Sequence, residues 1–89
     1  MEKVEIRRLL KKANPRAPSA KIEIVAALCA LYLEAAKNVE ANGAIVAHPR
    51  TSAPMENPYL SILEKQGRAL FALRGINVDA VIVAPKEAP

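Results

Sequence analysis

Seven cations crowd the first 21 residues of this chain: Lys3, Arg7, Arg8, Lys11, Lys12, Arg16 and Lys21. Against Glu2 and Glu5 they give that segment 7 − 2 = +5, while the remaining residues hold six basic and seven acidic groups, or −1. The whole formal charge of +4 on 89 residues therefore sits at one end. The chemistry open to such a set is electrostatic. Ammonium and guanidinium groups hold phosphate oxygens with little base discrimination, and about five phosphates engaged would give a log–log salt slope near −4 to −5. Lys3, Arg7 and Lys11 recur at four-residue spacing, as do Arg8 and Lys12. On a helix each like-charge pair costs a few tenths of a kcal/mol, which a bound polyanion removes. The seven are the candidate nucleic-acid contacts, with double-stranded DNA as the candidate partner. The plain alternative is the solvated face of an amphipathic helix.

Other chemistry finds no residues. One histidine (His48), one cysteine (Cys29) and three glycines outside any phosphate-loop pattern supply neither a catalytic set nor metal-ligand spacing. No enzyme activity, cofactor or metal is expected. His48 reads as an exposed, inert loop residue, Arg50 as solvated, and Cys29 as a small core residue. A lone cysteine and a charged rather than apolar beginning fit a reducing interior. The longest apolar run, IVAALCALYL at 24–33, would rise about 15 Å as a helix, half a bilayer core, so no membrane span is expected.

Hydrophobic spacing supplies the elements that must position the cations. Residues 2–13 fit a short helix with Ile6, Leu9, Leu10 and Ala13 on one stripe and the cations opposite. NPRAPS at 14–19 reads as a stiff, extended hinge, with Ser19 offered as the cap of the next helix. That helix, about 20–42, is apolar over some 200° of its circumference, where a surface helix needs about 100°. It requires more than one packing partner: the first helix, the C-terminal tail or a second copy of the chain. Asn42-Gly43 ends it. Asn57 as cap, Pro58 in the first turn and Gly75 as left-handed stop mark a helix over 58–74. Tyr59, Leu60, Ile62, Leu63, Gly67, Leu70, Phe71 and Leu73 lie on its broad apolar side, with Gly67 permitting close approach. The two long helices should form an antiparallel hairpin, with Tyr32 and Tyr59 as anchors. Their connection is long, and AIVA within it could form a short extended piece. After Asn77 the chain reads either as one more helical turn or as a strand through Val81, Ile82 and Val83, docked on the hairpin or on a neighbour. Pro85 and Pro89 suggest a frayed end.

The order of features in YLEAAKNVEANGAIV, a proline-rich connection and ENPYLSILEKQGRALFALRGI resembles the phage terminase small subunits. The group concerned has the signature Asn-Gly, a variable loop, Asn-Pro, and a helix ending in Gly-Leu. The likeness spans residues 28–76. In this sequence Gly75 and Ile76 lead to Asn77 and Val78, where the group tends to have Thr-Pro and an arginine. The resemblance implies a non-enzymatic part of a DNA-packaging motor in the cytoplasm of a bacterial host. Such subunits assemble into rings through helical hairpins, engage the genome and deliver it to the large ATPase–nuclease subunit. Repetition of a basic arm around a ring would turn modest affinity into avidity.

The expectation is thus an all-α fold: a basic N-terminal helix and hinge (1–19), a helical-hairpin oligomerisation core (20–76) and a tail (77–89). The homo-oligomer interface is assigned to Ile24, Leu28, Leu31, Tyr32, Ala35 and Val39. Two rival readings are a helical protein–protein adaptor whose basic arm grips an acidic partner, and a monomeric nucleic-acid-binding regulator.

Overall fold

A computed structural model describes residues 2–82. Its order is α1 (Lys3–Ala13), α2 (Ser19–Asn42), β1 (Ile45–Ala47), β2 (Pro54–Glu56) and α3 (Pro58–Phe71). The fold is mostly helical, and the connection between the long helices corrects the all-α expectation. AIVA does extend, and it pairs antiparallel with Pro54–Glu56 in the register Ile45–Glu56, Val46–Met55 and Ala47–Pro54. A proline-containing stretch is a poor strand on its own; here the partner strand supplies the reason to extend.

The helices run antiparallel, as three contacts along them require. The start of α3 meets the end of α2 through Asn57 and Gly43, Gly67 faces Tyr32 at mid-length, and Lys21 near the start of α2 reaches Arg74 beyond α3. A Cβ on Gly67 would lie 3.3 Å from the Tyr32 ring, so the missing side chain does allow close approach.

Three boundaries differ from expectation. The 14–19 segment is a tight turn rather than an extended hinge, closed by the Ala17 N–H on the Asn14 carbonyl at 3.1 Å. Asn at the first and Pro at the second position are what such a turn favours. Ser19 lies inside α2, whose capping position is Pro18, and no side chain caps that end. Finally α3 stops at Phe71 and not 74. Gly75 does take a left-handed φ of 75°, three residues past the helix cap at Ala72. The chain leaves the helix early because Leu73, Ile76 and Val78 turn in to pack on the core, while Lys21 Nζ donates to the Arg74 carbonyl at 2.9 Å.

That core is one cluster. Ile6 and Leu10 from α1, Ile22, Val25, Ala26 and Cys29 from α2, Leu70 from α3 and Val81 from the C-terminal segment are all buried together. Of the α1 stripe Leu9 is half-buried and Ala13 exposed. Of the two readings of the C-terminal segment, the turn is realised: Asn77 Oδ1 accepts from the Asp79 N–H at 2.8 Å, and the Val81 and Ile82 N–H groups both donate to the Val78 carbonyl. Val83 and the expected frayed end lie outside the described residues. No helix among those described is long and apolar enough to cross a membrane.

Candidate nucleic-acid interface

Because Ile6 and Leu10 plug into the core, α1 is fixed against the first turns of α2, and its outward face is fixed with it. Acidic Glu5 in its first turn and Lys11 and Lys12 in its last both suit the helix dipole, which offsets part of the like-charge repulsion along the face. Arg7 forms an ion pair with Glu23 of α2, and its Nη2 donates to the second carboxylate oxygen at 3.2 Å. This bidentate bridge ties the two helices.

A groove of about 720 Å³ opens between α1 and the start of α2. Arg7, Arg8, Lys11 and Lys12 line it together with Val4, Pro15, Ser19, Ile22 and Glu23. An adjoining hollow of about 310 Å³ holds Arg16 and Lys21, with Asn14, Ala17, Pro18 and Gly75; Pro15 borders both. The structure therefore gathers six of the seven expected cations on one end of the molecule, and Lys3 stands exposed on the same helix one turn before Arg7.

Their circumstances are unequal. Arg7 is neutralised by Glu23, and Lys21 is half-buried and committed to the Arg74 carbonyl. Lys11 Nζ touches the Ala17 carbonyl only at 3.5 Å. Lys3, Arg8, Lys12 and Arg16 are exposed and make no side-chain hydrogen bond among the described residues. These four, with Lys11, are the cations available to a ligand.

The six residues assigned to an oligomer interface divide too. Ile24 is 63% exposed and Leu31 45%, on an outer stripe of α2 that passes through half-buried Ala27, whereas Leu28 is half-buried and packs against the chain's own core. Tyr32 and Val39 are half-buried, Tyr32 against Gly67, and Ala35 is fully buried within its own chain. Ala35 has no surface left for a second copy. Phe71, expected on the apolar side of α3, is 94% exposed. It follows Leu70 by 100° around the helix, so the core that takes Leu70 leaves Phe71 outside.

Sequence reasoning missed several residues that hold the fold together. Glu23, which holds Arg7, lies sixteen residues from it in the sequence. Asn14 grips the opposite end of the chain: its Oδ1 accepts from the Asn77 N–H and its Nδ2 donates to the Asn77 carbonyl, both at 2.7 Å, with a further bond to the Leu10 carbonyl at 3.0 Å. Pairings across 63 residues leave no local signal. His48 is half-buried, and its Nδ1 accepts from the N–H groups of Arg50 at 3.1 Å and Thr51 at 3.4 Å, shaping the tip of the β-ribbon.

Among the described residues no group of three or more histidine, cysteine or acidic side chains could hold a metal. Cys29 is fully buried, and loss of solvation pushes its thiol up from an ordinary 9.0 to about 11, so it stays protonated and unreactive at neutral pH. No family model matches the chain, and comparison with curated proteins and with solved structures gives no match.

Proposed function

We propose that the chain is a small DNA-binding subunit of the phage terminase small-subunit type, working in a bacterial host cytoplasm without enzymatic activity of its own. In this reading copies associate through the outer stripe of α2, and each presents the α1 end to duplex phosphates for delivery to a large packaging subunit. The observation that carries the DNA part is the gathering of Lys3, Arg8, Lys11 and Lys12 on a helix seated in the core, with Arg16 in the turn that follows it. Cations held on a fixed support bind a polyanion with less ordering cost than cations on a loose arm. The oligomer part is supported by Ile24 and Leu31, apolar side chains that a single copy leaves in water. The sequence likeness over residues 28–76 supports the packaging role.

The test is retention of a random-sequence duplex across a salt series. Five available cations correspond to a slope near −4.5 per subunit. Arg8→Glu with Lys12→Glu, both exposed, should weaken retention at low salt by about a hundredfold or more and flatten the slope by about 2, with the helical content unchanged. Arg7 is a poor choice for this test because its loss would release Glu23 and loosen α1. Unchanged retention by the double variant would remove the α1 end as the DNA surface.

A further inference from the structure

The groove beside α1 has more in it than phosphate binding requires. Its rim carries four cations and one carboxylate, 4 − 1 = +3, but its wall between them is apolar, made by Val4, Pro15 and Ile22. Val4 is 67% exposed on the same face as Arg8 and Lys11, a branched apolar side chain set among charges. A duplex backbone offers phosphates and sugars and no apolar knob to fill such a wall. A helix that is acidic on its flanks and apolar along one stripe offers both.

We propose that this groove is a docking site for an acidic amphipathic helical segment of a partner protein. Apolar anchors of the segment lie on Val4 and Pro15 and its carboxylates meet Arg8, Lys11 and Lys12, the groove mode of helix recognition with charge complementarity setting the choice of partner. The eleven residues of α1 extend about 16 Å, which matches two to three turns of a docked helix and hence anchors at i, i+3 or i+4, and i+7. Three of the cations are also those offered to DNA. The segment and the duplex therefore exclude one another, and binding of the partner releases DNA. Docking stands without the DNA reading; only the competition rests on it.

The experiment uses the full chain and two synthetic 14-residue peptides of equal negative charge, measured by fluorescence anisotropy. One carries leucine at i, i+3, i+4 and i+7 among glutamates, and the other carries serine at those four positions. The leucine peptide should bind at least tenfold more tightly. Val4→Asn, a change at an exposed site with the melting temperature as control, should weaken the leucine peptide at least fivefold and leave the serine peptide and a 20-base-pair duplex unchanged. Equal affinity for the two peptides would overturn the proposal, since charge alone would then account for binding. So would leucine-peptide binding that ignores Val4→Asn, which would place the peptide elsewhere, or a duplex weakened by that change as much as the peptide, which would make the groove a nucleic-acid site. Addition of the leucine peptide to the duplex complex should displace the DNA. If the duplex does not bind at all while the peptide does, the DNA reading fails and the docking site stands.

Discussion

Asn57 shows how much one side chain can settle. It is only 2% exposed, its Oδ1 accepts from the Tyr59 N–H at 3.0 Å, and its Nδ2 donates to Asn38 Oδ1 at 3.0 Å and to the Gly43 carbonyl at 2.9 Å. Asn42-Gly43 at the end of α2 and Asn57-Pro58 at the start of α3 therefore meet through the Asn57 side chain. Asn57→Ala should cost about 2 kcal/mol in chemical denaturation, from a lost cap and two part-buried acceptors losing their donor. Asn57→Asp should cost at least as much at neutral pH, although aspartate caps helices as well as asparagine in general, because a carboxylate oxygen would then face two acceptor oxygens away from water. A stability for the aspartate variant close to that of the parent would show that the cap alone matters. Cys29 carries a prediction of a different kind. Below pH 9 both folded and unfolded thiols keep their proton. Between 9 and about 11 the unfolded chain releases it and the folded chain does not. Stability should then fall with rising pH by a total on the order of 2–3 kcal/mol. Denaturation curves of the parent and of Cys29→Ala should diverge from each other in slope over that window and run parallel below it.

At the level of elements, what was legible in the sequence was whatever local spacing controls. Ile6 and Leu10 on one stripe, Asn57 before Pro58, and Gly43 after Asn42 locate the helices to within a residue at most ends, because periodicity and caps act over a turn or two. Gly43 is the clearest of these stops. Its φ of 84° and ψ of 172° lie in a region almost closed to other residues, while its N–H closes α2 on the Val39 carbonyl. Gly43→Ala should destabilise the chain by roughly 1–3 kcal/mol in thermal or chemical melts. The features that escaped all depend on a distant partner. Pro54–Glu56 extends only because Ile45–Ala47 lies beside it, α3 ends early because Lys21 and the core draw the chain away, and the 14–17 turn folds α1 back because Asn77 is there to receive Asn14. The candidate cations were found from their clustering in the first 21 residues and their four-residue spacing. Which of them are spent on the fold, as Arg7 and Lys21 are, depended on Glu23 and Arg74, and no spacing rule connects those pairs.

For the molecule as a whole, the unresolved demand of α2 has been divided. Part of its wide apolar girth is covered by α1, α3 and the segment ending at Val81, and the remainder stays outward at Ile24 and Leu31. Light scattering should report a mass well above the 9.6 kDa of one chain. Ile24→Glu with Leu31→Glu should reduce it to that of one chain while leaving the melting temperature of the single fold nearly unaltered, since neither side chain is part of its core. A parent chain that already runs at 9.6 kDa would leave the ring without its basis and favour the adaptor reading. Asn14 holds both the N–H and the C=O of Asn77, so the helix that carries the cations is latched to the far end of the polypeptide. Pulling that helix outward must first break both of these bonds, so α1 and the segment around Asn77 are expected to come away from the core together.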